Sequence, residues 1–143
     1  VLLGSQLTFV VRPSPSMVER IQSSAHAAGG SAEAAPMKFA LGVEMLMETA
    51  ANYSNHGQHE KALTTLASAE QFLEAAGYPD SLAAGYFIQH GSAFANLKRF
   101  GEALQEFGKA RAIFKKHGDL QSPDGITVSG NMAIAAAAVG RRQ

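Results

Sequence analysis

Residues 50–77 read AANYSNHGQHEKALTTLASAEQFLEAAG, and residues 91–118 read GSAFANLKRFGEALQEFGKARAIFKKHG. The two stretches align without a gap at one constant offset, which carries Ala50 onto Gly91 and Gly77 onto Gly118. The other aligned pairs also match in size and polarity: Tyr53 with Phe94, Ala62 with Ala103, Leu66 with Phe107, Ala69 with Ala110 and Leu73 with Phe114. A constant period of about 41 residues is typical of repeat proteins, in which each unit buries its apolar face against its neighbours.

Within each repeat, apolar residues recur at three- and four-residue steps, which predicts amphipathic helices. Glycines at 57, 77 and 118 indicate helix ends, and Pro79 and Pro123 indicate the starts of the helices that follow. The expected helices span about 36–55, 58–76, 80–97, 102–117 and 123–139. No part of the repeat region alternates as a strand does, so we expect an all-α protein.

The chain before the repeats has a different character. We expect residues 1–14 to form an extended arm, and residues 15–35 to form a short helix followed by a flexible Gly- and Ser-containing linker. The repeat domain then covers residues 36–143. It divides into repeats at about 36–78 and 79–122 and a partial repeat at 123–143.

The composition argues against several kinds of function. The 12 basic and 12 acidic residues cancel, whereas a nucleic-acid-binding domain is usually basic. There is no cysteine, which excludes disulfides and thiolate metal sites and favours a cytoplasmic location. The longest apolar run near the start covers residues 7–11, far short of the roughly 20 residues that cross a bilayer. We therefore expect neither a nucleic-acid nor a membrane partner.

No motif for catalysis or cofactor binding is present. His56 and His59 lie three residues apart beside Glu60, a spacing that could hold a metal, but a solvated turn is the simpler interpretation. Glycine-rich phosphate-binding motifs and the nucleophile elbow are absent. We therefore expect no enzyme activity, no catalytic residue, no metal site and no cofactor.

The two-helix unit resembles the tetratricopeptide repeat (TPR) family. That family's small, aromatic, Ala, apolar, Ala pattern appears here as Ala50, Tyr53, Ala62, Leu66, Ala69, and again as Gly91, Phe94, Ala103, Phe107, Ala110. A third copy begins at Ala133, so its offset from Gly91 is longer by one residue. The period exceeds the family's usual length of about 34 residues. The long-period variety is similar to repeats of kinesin light chains and of helical sensor regions in bacterial regulatory ATPases. The resemblance implies a helical-hairpin solenoid of about two and a half repeats, preceded by a short helix.

The resemblance also implies a concave groove lined by the first helix of each repeat. The implied groove residues are Glu44, Met47, Glu48, Ala51 and Asn55 in the first repeat, Ile88, Gln89, Ser92 and Asn96 in the second, and Asn131 and Ile134 in the third. None of them is Lys or Arg, so a C-terminal carboxylate, the ligand of co-chaperone members, is not expected. Apolar residues with two carboxylates favour another protein as partner, through an amphipathic or apolar segment that carries basic residues.

Two functions follow from these observations. The first is a non-catalytic protein–protein interaction scaffold that binds a partner segment in the groove. The second is an oligomerisation or regulatory segment of a larger protein, of the regulatory ATPase or transcription-regulator type, without a peptide ligand of its own. The last helix has no second helix beside it, so an uncovered apolar stripe is expected at Ile126, Met132, Ala136 and Val139. Two copies could bury this stripe in a homodimer.

Overall fold

The computed structural model describes residues 34–142, with side chains described for residues 38–141. These residues form five α-helices: α1 (Ala34–Asn55), α2 (His59–Ala75), α3 (Asp80–Asn96), α4 (Phe100–Lys116) and α5 (Pro123–Arg142). The all-α class is therefore confirmed for this part of the chain, and the helix ends lie within three residues of those expected. The arm at 1–14 and the short helix predicted after it lie outside the described residues.

Helices α1 to α4 all end in the same kind of turn. In each turn a backbone N–H donates to the carbonyl five residues earlier: Gln58 to Tyr53, Tyr78 to Leu73, Arg99 to Phe94 and Asp119 to Phe114, with N···O distances of 2.8 or 2.9 Å. This hydrogen bond defines the Schellman motif, in which the residue just before the donor usually has a left-handed backbone conformation. Gly57 supplies one at φ 75°, and Lys98, at the equivalent position of the second repeat, takes the same conformation at φ 64°. Because the turns are short, α1 and α2 form one antiparallel hairpin, and α3 and α4 form a second.

Two apolar clusters hold the hairpins together, and α3 belongs to both. The first cluster joins Val43 and Ala50 of α1 to Leu66 of α2 and to Leu82 and Tyr86 of α3, among others. The second joins a different side of α3 to α4 and α5, through Ala84, Ile88, Ala103, Phe107, Phe114, Val128 and Ala135. Helix α3 is consequently buried on opposite sides. This position explains why its sequence, SLAAGYFIQHGSAFAN after Asp80, contains almost no charge.

Small residues on the first helix of each hairpin allow a close approach to the second helix. A Cβ atom added at Gly91 would lie 2.7 Å from Cε1 of Phe107 and 3.2 Å from the carbonyl oxygen of Ala103. The equivalent residues of the first hairpin, Ala50 and Leu66, are buried in one cluster. A larger residue on the second helix is thus matched by a smaller one on the first, because the distance between the helices leaves a limited volume for both.

Candidate binding surfaces

Most of the residues implied as groove residues are buried in the described structure. The buried members are Met47, Ala51, Ile88, Gln89, Ser92 and Asn131. Met47 contacts α3, since a Cβ added at Gly85 would lie 3.1 Å from Met47 Cε. Ile88 is 0% exposed. For Ile88, Gln89 and Ser92 the physical reason is that α3 lies between two other helices, so side chains flanking its expected core stripe are also enclosed.

The other implied groove residues remain accessible. Glu48, Asn55 and Ile134 are exposed, whereas Glu44 and Asn96 are half-buried. Partial burial raises the pKa of the Glu44 carboxyl above its usual value. These residues could contact a partner, although the apolar side chains expected between them are not available.

A different surface is uncovered on α5, and the repeat identifies it. Four residues of α3 are buried towards α4, namely Ala84, Ile88, Gly91 and Ala95. Their equivalents in the partial repeat are all exposed on α5: Ile126, Gly130, Ala133 and Ala137. We call these four residues the open face of α5. Ile126 is 58% exposed, whereas Ala84 is 0% exposed. The difference arises because no second helix covers α5 among residues 34–142.

The opposite side of α5 confirms that Gly91 aligns with Ala133. Ala83, Tyr86, Gln89 and Ala93 of α3 are buried, and so are their equivalents Gly125, Val128, Asn131 and Ala135. The stripe expected from the sequence was therefore partly right. Ile126 and Ala136 are exposed, but Met132 and Val139 are half-buried, and Met132 packs against the second cluster. The open face is rotated around the helix from that expectation.

Helix α1 shows the complementary side, which no other helix within residues 34–142 covers. Leu82 and Tyr86 of α3 are buried in the first cluster. Their equivalents on α1, Leu41 and Met45, are 54% and 70% exposed. The two apolar surfaces thus lie at the two ends of the described helix array, where the repeating contacts stop.

A polar cluster links α2, α3 and α4. His90 Nδ1 lies 3.0 Å from Glu106 Oε2, and Lys109 Nζ donates to Glu106 Oε1 at 2.8 Å. The Tyr86 hydroxyl donates to Glu70 Oε2 at 3.4 Å, and the Tyr86 and His90 ring centroids are 5.3 Å apart. The hydrogen bonds run between side chains of the cluster itself, and the Glu106 carboxylate is almost completely enclosed. This arrangement can fasten three helices together.

The pKa values of two groups in this cluster are shifted. Burial raises the pKa of the Glu106 carboxyl, but the hydrogen bonds and charges of His90 and Lys109 lower it, and the resulting pKa is below the usual 4.5. Burial, with the negative charges of Glu70 and Glu106, raises the pKa of the Tyr86 hydroxyl. The cluster therefore favours an ionised Glu106 and a neutral Tyr86.

We expect Glu106→Gln to lower the free energy of unfolding by about 1.5–3 kcal/mol at neutral pH, because hydrogen bonds to an enclosed charge are lost. A carboxyl whose pKa is depressed by folding stabilises the protein above its unfolded pKa, and this contribution disappears as the pH falls through the folded pKa. The difference between parent and variant should therefore shrink well below pH 4.5. Urea titrations of the parent and the variant, at neutral pH and at the lower pH, measure this difference in the free energy of unfolding.

Glu102→Gln is the matched control for this experiment. Glu102 forms a bidentate ion pair with Arg99, but its side chain is half exposed, so its removal should cost less than about 1 kcal/mol. If the two variants lose equal stability, or if the Glu106 difference is the same at low pH, the depressed pKa contributes nothing to folding.

Two further observations concern metal binding and membrane insertion. Among the described side chains, no three His, Asp or Glu residues come together in a group that could hold a metal ion. No helix within residues 34–142 is long and apolar enough to cross a membrane.

No protein-family model, curated protein or solved structure gives a significant match to the chain.

The open face of α5 was the functional candidate that sequence reasoning located only approximately. A signal for it exists in the sequence. Once the residues on the two buried sides of α3 are known, the alignment of Gly91 with Ala133 identifies the equivalent residues on the two sides of α5. The periodicity of α5 alone does not separate them, because Ala occupies both sides of the helix.

Proposed function

We propose that this chain is a non-catalytic, TPR-like helical-repeat scaffold that binds another protein through the open face of α5. The proposal keeps the function expected from the sequence and moves its contact surface from the groove to the last helix. The lack of cysteine is compatible with action in the cytoplasm. The TPR resemblance of residues 36–140 supports the scaffold interpretation.

One observation carries the proposal: four positions of α3 are buried by a second helix, and the equivalent positions of α5 are exposed. Contiguous exposed apolar surface on a folded domain usually marks an interaction site. Ile134, which is 44% exposed, adjoins the open face on the next turn and enlarges the apolar surface. A partner segment would gain free energy by removing this area from water, and the helix array would lose little entropy because it is already ordered.

The partner expected from the sequence was an amphipathic or apolar segment with basic residues. Its apolar part suits the open face. The two carboxylates that favoured basic residues, Glu44 and Glu48, lie on α1, so only a partner that also reached α1 would use them.

The experiment compares substitutions of exposed alanines. Immobilised full-length protein is used to capture proteins from source cells, and a captured protein is then purified and titrated against parent and variants. We expect Ala133→Arg to reduce its affinity at least ten-fold. Ala67→Arg, at an exposed alanine of α2, should leave the affinity unchanged. Equal binding by both variants would contradict the proposal, and loss on Glu48→Lys alone would return the site to the groove.

The second candidate function is self-association within a larger regulatory protein, and the same bare surface favours it. Two copies could bury their α5 helices against each other in a symmetric dimer. Light scattering over a dilution series detects this. A dimer that dissociates on Ala133→Arg would identify the open face as an oligomerisation surface instead of a site for another protein.

A further inference from the structure

We propose that the open face of α5 binds one particular kind of segment: an α-helix of a partner protein that lies antiparallel to α5 and completes a third hairpin. The partner helix would carry an Ala-x3-Leu-x2-Ala-x3-Leu stripe. This inference rests on the proposed function, because it names the chemistry of the partner that the open face takes.

The internal repeat shows what covers the equivalent surface. Twice within the chain, the first helix of a hairpin is covered by a second helix with the same residue spacing. The covering residues are Ala62, Leu66, Ala69 and Leu73 on α2, and Ala103, Phe107, Ala110 and Phe114 on α4. All eight side chains are buried. The geometry of α5 on its covered side repeats that of α3, so its bare side presents the same surface to the same kind of helix.

The size of residue 133 indicates which of the two covering helices, α2 or α4, the partner helix should resemble. On α3, Gly91 leaves room for Phe107, and a Cβ at Gly91 would lie only 2.7 Å from that ring. On α1, Ala50 occupies the same position and the facing residue is Leu66. Because α5 has Ala133 there, its partner should present leucine, as α2 does, and a phenylalanine would collide with the alanine Cβ.

The two described hairpins indicate the direction of the partner helix. In each of them a short turn joins the end of the first helix to the start of the second, so the second helix runs antiparallel to the first. A partner helix that packs on α5 in the same way would start beside the C-terminal end of α5.

The chain's own residues 15–28 match this description less well. Aligned at the offset that relates the first two repeats, Ile21, Ala25 and Ala28 fall on Ala62, Leu66 and Ala69. Alanine therefore stands where both known covering helices have a large side chain. A partner helix of the α2 type would fill the open face better.

The test uses two synthetic helices taken from the chain as probes. The first peptide has the sequence of residues 58–77 and the second that of residues 99–118. Each carries a lactam bridge between exposed positions, 64 and 68 in the first and 105 and 109 in the second, to reduce the entropy lost on ordering. Fluorescence anisotropy measures binding of each labelled peptide to the full-length protein.

We expect the 58–77 peptide to bind saturably and at least ten-fold more tightly than the 99–118 peptide. Ala133→Arg should abolish binding, and Ala67→Arg should preserve it.

Other results would overturn the inference. They are absence of binding by either peptide, equal affinities for the two peptides, or binding that survives Ala133→Arg. If binding appears only in Ile21→Asp, the chain's own residues 15–28 cover the face. If the protein forms a dimer that the 58–77 peptide cannot displace, a second copy covers it. A natural partner that depends on Ala133 while both peptides fail would leave the proposed function intact and remove only the α2-type helix.

Discussion

Ile88→Asp is expected to unfold the protein. Ile88 is completely buried between α3 and its neighbours, in the cluster that includes Phe107 and Val128. The substitution removes a large apolar side chain and encloses a carboxylate for which the cluster offers no cation, at a combined cost of about 4–5 kcal/mol or more. A domain of this size typically has about 5–15 kcal/mol in total. Far-ultraviolet circular dichroism during a urea titration should show a strongly reduced midpoint or no folded baseline.

Ile134→Asp provides the matched control, because it makes the same substitution at an isoleucine that is 44% exposed on α5. Its effect on stability should stay within about 0.5 kcal/mol. From the sequence alone, residue 88 was expected to face a groove, and its substitution would then have left the helical content unchanged. If Ile88→Asp folds as well as Ile134→Asp, the enclosed position of α3 is wrong.

Gly91→Ala is expected to destabilise the protein through a steric clash with Phe107. The added Cβ would lie 2.7 Å and 2.8 Å from two ring atoms of Phe107, which is itself fully buried. Overpacking of this kind costs about 1–3 kcal/mol. The better helix propensity of alanine returns at most about 1 kcal/mol, so the net change should still be destabilising. Gly108→Ala is the control, because nothing lies within 4 Å of its added Cβ and the substitution should be neutral or stabilising.

Adding Phe107→Leu should rescue Gly91→Ala. The double variant recreates in the second hairpin the Ala50 and Leu66 pair of the first. The loss in the double variant should be smaller than the sum of the single losses by about 0.5–3 kcal/mol, the coupling typical of residues in contact. Strict additivity would mean that the two positions do not compete for the same volume, and it would also remove the steric reason for preferring leucine opposite Ala133.

If a partner helix binds the open face, its binding should stabilise the folded helix array. A ligand that binds only the folded state raises the free energy of unfolding in proportion to the logarithm of its concentration. Binding at α5 would extend the row of hairpins by one half-unit. In a repeat protein stability is the sum of units and their interfaces, so the added interface stabilises chiefly α4 and α5.

The sequence by itself determined the local structure of the described region. Spacing at three and four residues predicted five helices, and glycine and proline predicted their ends, because both signals depend on neighbours along the chain. The constant offset between the repeats places a small residue, Ala50, Gly91 or Ala133, at the same position of each first helix, and Gly91 lies where α3 and α4 meet.

Only the tertiary structure decided which sides of the helices are buried. Periodicity identifies one apolar stripe on a helix, but α3 is enclosed by α2 on one side and by α4 on the other. Ile88 of α3 is therefore enclosed, and Met47 of α1 is buried where it packs against Gly85 of α3. The contact between His90 and Glu106, on different helices, likewise requires the hairpins to pack before it can form. The open face of α5 results from both levels: the repeat specifies its residues, and the absence of a covering helix among the described residues leaves them exposed.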